Sequence, residues 1–91
     1  MHVEVKFFAR IREETGTDAT RREFPDGATV GDVLDAVRET YPALDLLDAD
    51  GDVHGHLNVL RNDRNVYYLD GLDTPLEDGD TVSIFSPVSG G

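Results

Sequence analysis

The sequence predicts an α+β fold, with one main helix lying across one face of a mixed sheet of four to five strands. Three observations predict it. Val3, Val5 and Phe7 alternate with His2, Glu4 and Lys6 at one end of the chain, the two-residue period of a strand with one buried face. Thr81 to Phe85 repeats that period at the other end, with Val82 and Ile84 on one side. Between them Val30, Val33, Leu34 and Val37 return at helical spacing. A chain of 91 residues that is 38% hydrophobic holds a single core and leaves no room for a second domain.

The elements follow in order. After the first strand, Phe8 and Ala9 break the alternation. Arg10-Ile11-Arg12-Glu13-Glu14-Thr15-Gly16 then predicts a single helical turn with Ile11 turned inward and Gly16 closing it. Thr20 to Phe24 predicts a weakly patterned second strand with a charged edge, ended by the Pro25-Asp26-Gly27 turn. Thr29 is placed to cap the main helix, with Asp32 three residues on completing an approximate capping box. Tyr41-Pro42 stops that helix, because the residue before proline avoids the helical region. Leu44, Leu46 and Leu47 are expected to cover one end of the core.

Residues 48–55 read as an Asp- and Gly-rich loop, and Leu57 to Arg61 as a third strand. Asn62-Asp63-Arg64-Asn65 supplies turn residues before a fourth strand, Val66 to Leu69, so a hairpin is expected. Asp70 to Gly79 reads as loop or short helical turn, with Asp80 opening the last strand. The order β-β-α-β-β-β, with a helix on one sheet face, is the β-grasp architecture.

Charge and composition narrow the function. Nineteen acidic residues against eight basic ones give a net charge of −11, which disfavours nucleic acid and anionic membranes as partners and suits a basic protein surface. There is no cysteine, so disulfides, thiolate metal sites and a thioester on the chain's own side chains are excluded. No run approaches the roughly 20 apolar residues of a membrane span, and Met1-His2-Val3-Glu4 lacks the basic start of a leader. A cytoplasmic protein is expected. The acidic set is mostly Asp, and Lys6 is the sole lysine. That composition resembles haloarchaeal cytoplasmic proteins, so low salt is expected to destabilise the fold.

Asp48, Asp50, Asp52, His54 and His56 crowd one stretch and raise a metal reading. A calcium loop of the EF-hand type needs Gly sixth and glutamate twelfth; here Gly51 comes fourth and Val59 twelfth. His54 and His56 could share a strand face and take a transition metal, against which stands a solvated acidic loop. No metal is expected. Ser83, Ser86 and Ser89 have no evident base beside them and there is no Gly-rich phosphate loop, so neither catalysis nor a bound cofactor is expected.

The end of the chain carries the chemistry. Pro87 lacks a backbone donor and fixes φ, so a domain of residues 1–87 is expected to give way to a mobile tail at 88–91. A carboxylate on Gly91, preceded by Gly90, has no side chain to obstruct a nucleophile or the walls of a narrow channel. It is inert at neutral pH and needs activation by ATP, as an acyl-adenylate, before sulfur or an amine can attack. The tail is then a substrate, and another protein is the enzyme. Two glycines alone specify little.

Weight comes from the residues before them. Asp78-Gly79-Asp80-Thr81-Val82-Ser83-Ile84-Phe85-Ser86-Pro87-Val88-Ser89-Gly90-Gly91 resembles the end of the MoaD/ThiS sulfur carriers and of the archaeal ubiquitin-like small modifiers. Lys6-Phe7-Phe8-Ala9-Arg10-Ile11-Arg12-Glu13-Glu14-Thr15-Gly16 resembles the same family at the opposite end of the chain. The resemblance implies that Gly91 is adenylated by a ubiquitin-activating-enzyme-like protein of the MoeB/ThiF/UbaA type. It implies next either a thiocarboxylate, delivering sulfur to molybdopterin or a tRNA thiouridine, or an isopeptide on substrate lysines. A molybdopterin synthase large subunit is a further partner to consider, and a monomer is the default state. Ser86 stands where the family often has a second proline.

Phe8, Leu60 and Phe85, with Pro87 and Val88, are the candidates for the surface that docks on the activating enzyme; ordinary core packing is the alternative for each. Lys6 and the N-terminal amine are the only amines through which the protein could chain to itself. In a first strand the Lys6 side chain should point away from Val3, Val5 and Phe7. The alternative from a different class is a non-covalent β-grasp interaction module whose glycines do no chemistry.

Overall fold

Residues 1–54 and 57–86 are described by the computed structural model. The first and last strands, β1 (His2–Phe7) and β5 (Thr81–Phe85), lie side by side and parallel inside a five-stranded mixed sheet. β2 (Ala19–Glu23) pairs antiparallel with the outer side of β1, and β3 (Asn58–Arg61) antiparallel with the other side of β5. β4 (Arg64–Asn65) completes the order β2-β1-β5-β3-β4. This is the expected β-grasp arrangement, a ubiquitin-like sheet grasping one main helix.

That helix, α2 (Val30–Thr40), begins as its sequence dictates. Thr29 accepts from the Asp32 backbone N–H while the Asp32 carboxylate accepts from the Thr29 N–H at 2.9 Å, so both halves of the capping box are made. Tyr41 ends the helix ahead of Pro42. Val30, Val33, Leu34 and Val37 on its inner face meet Val3, Val5 and Phe7 of β1, Val59 of β3 and Val82 and Ile84 of β5 in one buried cluster. Each such aliphatic side chain contributes about 1.5–3 kcal/mol by leaving water. Leu44 and Leu46 are buried in the same cluster and Leu47 packs against it, closing the end of the core.

The predicted single turn after β1 is α1 (Ala9–Thr15), longer than one turn, with Ile11 buried and Gly16 closing it at φ 73°. Ala9 enters it at φ 51°, a left-handed conformation that a Cβ-bearing residue takes at a cost. β2 is an edge strand with a charged outer character, as expected. It is held to α2 by Arg22, whose Nη1 donates to the Ala36 carbonyl at 3.2 Å and to Thr40 Oγ1 at 2.9 Å.

Two expectations need correction. Val66 to Leu69 is not a strand: β4 stops at Asn65 and Val66–Tyr68 forms a 3₁₀ turn. The cause is Asn65, whose Oδ1 accepts from the Tyr67 N–H at 2.9 Å and caps the turn, while its Nδ2 donates to Asn58 Oδ1. Asp80 does not open the last strand, which starts at Thr81; its carboxylate is committed to side-chain and backbone donors just before the strand begins. A second 3₁₀ turn, Gly71–Asp73, lies within the segment expected to be loop or short helical turn.

Candidate functional site

The face of the sheet opposite α2 is built from the side chains left over by strand alternation. Burying Val3, Val5 and Phe7 turns Glu4, Lys6 and then Phe8 outward; burying Val82 and Ile84 turns Thr81, Ser83 and Phe85 the same way. Register then sets them side by side. Lys6 pairs with Ser83 across β1 and β5, and Leu60 pairs with Ser83 across β3 and β5, so Lys6, Ser83 and Leu60 form one row.

Phe8 and Phe85 close one end of that row. Their ring centroids lie 6.4 Å apart with planes at 87°, an edge-to-face pair, and the Phe8 N–H donates to the Ile84 carbonyl at 3.2 Å. Phe8 keeps 44% of its surface exposed, a large apolar side chain that the core does not claim. Together with Leu60 the two phenylalanines floor a concavity of about 540 Å³, rimmed by Lys6, Asn62, Asp63, Thr81 and Ser83. An apolar floor with a polar rim is the anatomy of a protein docking surface.

The structure thus places Phe8, Leu60 and Phe85 on one surface, and Lys6 with them. Lys6 Nζ lies 3.6 Å from Glu4 Oε1, half exposed. Pro87, Val88, Gly90 and Gly91 lie outside the described residues, as does the predicted tail; Ser86, next in the chain after Phe85, is the last residue described before them. Sequence reasoning missed Ser83, Asn62, Asp63 and Thr81 as lining residues. The alternation that buries Val82 and Ile84 contained the signal for Ser83, whereas Asn62 and Asp63 reach the rim through the β3–β4 turn.

The adjoining corner of the same face carries His2, Glu4, Arg21 and Asp78. The His2 backbone N–H donates to Asp78 Oδ1 at 2.7 Å, and this bond chiefly draws the Asp78 carboxyl below its ordinary range. His2 Nδ1 stands 3.8 Å from the same oxygen.

The Asp-rich loop is shaped by a carboxylate of its own. Asp48 Oδ1 accepts from the backbone N–H groups of Asp50 and Asp52, at 2.9 and 3.1 Å, and so shapes the turn between Leu47 and Val53. His54 Nε2 lies 3.3 Å from Asp45 Oδ2, and His56 lies outside the described residues. Among the described residues no three His, Asp or Glu side chains are grouped to hold a metal, and no helix is long and apolar enough to cross a membrane.

Comparison with known proteins gives a consistent result. Residues 5–91 match the model of the ThiS family. Small archaeal modifier protein 3 of Haloferax volcanii is 48% identical over 92 aligned residues that span all of both chains. The molybdopterin synthase sulfur carrier subunit of Escherichia coli strain K12 is 37% identical, over 98% of this chain and 99% of its own. The crystal structure of SAMP1 from Haloferax volcanii superposes with a TM-score of 0.86 at 38% identity, across the whole of both chains.

Proposed function

We infer the function from one premise: this chain belongs to the ThiS family, and its role is that of a ubiquitin-like modifier and sulfur carrier. The end-to-end alignment with a small archaeal modifier, 48% identical and covering all of this chain, is the observation that carries this reading. The relatives bear the names of modifiers and carriers, and none of those reported bears the name of a non-covalent module.

The chemistry proceeds at Gly91. A carboxylate oxygen attacks the α-phosphorus of ATP on a MoeB/ThiF/UbaA-type activating enzyme, a carboxyl–phosphate bond forms, and pyrophosphate leaves. Hydrosulfide or a lysine amine then attacks the acyl carbon, AMP leaves with the bonding pair, and the nucleophile's proton passes to water. The first outcome is a thiocarboxylate that supplies sulfur to molybdopterin or to a tRNA thiouridine, the former on a molybdopterin synthase large subunit; the second is an isopeptide on a substrate protein. Phe8, Leu60 and Phe85 form the surface by which the monomer seats on the activating enzyme in the cytoplasm, with Pro87 and Val88 continuing toward its active site. The chain itself catalyses nothing and holds no cofactor; it is the substrate. A net charge of −11 speeds its encounter with a basic enzyme surface.

Mass spectrometry of the protein recovered from its native cell tests this. An oxygen-to-sulfur increment on Gly91 supports the carrier role. Gly-Gly remnants on lysines of other proteins, lost when Gly90 and Gly91 are deleted, support the modifier role. A free Gly91 carboxylate after incubation with the activating enzyme and ATP overturns both.

A further inference from the structure

The chain has two kinds of amine, and the fold treats them differently. The Met1 ammonium donates to the Phe24 carbonyl at 2.8 Å and lies 3.7 Å from Oδ1 of the exposed Asp26. Lys6 is the only lysine. Among the described residues its Nζ meets one carboxylate, Glu4, at 3.6 Å, and its side chain is 44% exposed. Of the two, Lys6 is the amine with fewer described partners, since the Met1 ammonium also donates to a backbone carbonyl.

Its position matters as much as its exposure. Lys6 stands in the row Lys6–Ser83–Leu60 and rims the same concavity that Phe8 and Phe85 floor. Neighbouring strands lie about 4.8 Å apart, so Lys6 is within roughly 10 Å of Leu60 across the sheet. A stable interface takes about 800 Å² from each partner, a patch some 32 Å across. The whole protein measures 39 × 27 × 24 Å, so any such footprint on this face includes Lys6. A second copy joined to Lys6 is tethered by its residues 87–91, whose reach is at most about 18 Å even fully extended. A body of 39 × 27 × 24 Å held on so short a tether competes with the enzyme for that footprint.

We propose that Lys6 is the amine through which this chain accepts another copy of itself, and that the copy joined there covers the face needed for activation. A joined molecule is then closed to charging at its own Gly91, and a free Lys6-linked pair is an end product that cannot be transferred as a unit. This rests on the Gly91 reading above. In the joining step the neutral Lys6 amine attacks the acyl carbon of the second copy's Gly91 adenylate. The C–N bond forms, the C–O bond to AMP breaks, AMP leaves with the electron pair, and the amine proton passes to water.

The absence of native cysteine makes a direct test simple. A disulfide pair is prepared between Lys6→Cys in one copy and Gly91→Cys in a second, and a control pair between Tyr67→Cys and Gly91→Cys, since Tyr67 is 80% exposed and outside the concavity. Each pair is incubated with the activating enzyme, ATP and hydroxylamine. Charging of the copy with intact Gly91 is read as its hydroxamate by intact mass. The expected result is charging of the Lys6-joined copy about tenfold or more slower than its monomer, restored by reduction, with the Tyr67-joined copy charged like its monomer. Equal charging of the Lys6-joined copy and its monomer overturns the proposal. In parallel, wild type and Lys6→Arg are incubated with the enzyme and ATP alone. A branched Gly-Gly peptide at Lys6, absent from Lys6→Arg, is expected; self-linked product that persists in Lys6→Arg with a blocked N-terminus, or none at all while the hydroxamate forms, overturns the acceptor assignment. Failure of every monomer to form hydroxamate removes the Gly91 reading itself.

Discussion

Arg61 Nε donates to Asp80 Oδ2 at 2.8 Å, tying β3 to the residue from which β5 departs. Asn62 Nδ2 reaches the other carboxylate oxygen at 3.2 Å, and the Glu77 N–H reaches Oδ2 at 2.8 Å. Asp80 is buried, so truncating it strands a half-buried guanidinium and two polar donors. Asp80→Ala is expected to cost about 2–3 kcal/mol, measured by urea unfolding; a loss within error of zero would show that the network closes on water instead.

The same carboxylate gives a pH dependence. Burial raises the Asp80 pKa, but the Glu77 N–H, Arg61 and Asn62 together outweigh it and hold the group below its ordinary range. A carboxyl whose folded pKa lies under its unfolded value of about 3.9 stabilises the fold above that value. The contribution disappears as pH falls through the folded pKa. The stability gap between wild type and Asp80→Asn is therefore expected to be full at neutral pH and to narrow progressively below about pH 4. A gap independent of pH contradicts the assignment.

Ala9 makes the opposite prediction. At φ 51° its Cβ crowds the backbone, a cost of about 1 kcal/mol that glycine does not bear. Ala9→Gly is expected to stabilise the protein by about 0.5–1 kcal/mol, a rise in Tm of roughly 2–8 °C. A lower Tm would mean that helix entropy in α1 outweighs the strain.

Phe8 separates docking from folding. Being 44% exposed, it contributes modestly to the core, mainly through its edge contact with Phe85. Phe8→Ala is expected to change stability by about 1 kcal/mol or less. It is expected to lower adenylation efficiency by about tenfold, as loss of an interface anchor does. Loss of stability without loss of adenylation would assign Phe8 to packing alone.

Salt should act on the whole molecule. A net charge of −11 on 91 residues repels itself, and at about 1 M salt the Debye length shrinks to roughly 3 Å. Tm is expected to climb with added potassium chloride. A flat or falling curve would remove the halophile argument.

The parts of the fold that were legible in the sequence are those set by neighbours in the chain. Thr29 and Asp32 announce α2 because both halves of a capping box lie within four residues, and Val82 and Ile84 announce β5 because alternation is local. Val66-Tyr67-Tyr68 misled for the converse reason. Aromatic and β-branched residues favour strands when a pleated surface receives them, but Asn65 captures the Tyr67 N–H and leaves both tyrosines in solvent, 80% and 79% exposed. The Arg61–Asp80 bond spans nineteen positions and has no local signature. The candidate site was half legible: Phe8, Leu60 and Phe85 could be named, but their convergence with Lys6 depends on register between strands far apart in sequence.

The parallel pairing of β1 with β5 has a consequence for the protein's birth. β1 cannot be flanked on both sides until β5, some seventy-five residues later, is available, because Glu4 waits for Thr81 and Phe7 for Ile84. Such long-range closure is slow and leaves the intermediate without its central seam. A nascent chain halted before Thr81 therefore displays neither the Lys6–Ser83–Leu60 row nor the Phe8–Phe85 pair. Synthesis through β5 thus becomes a condition for this face to exist at all.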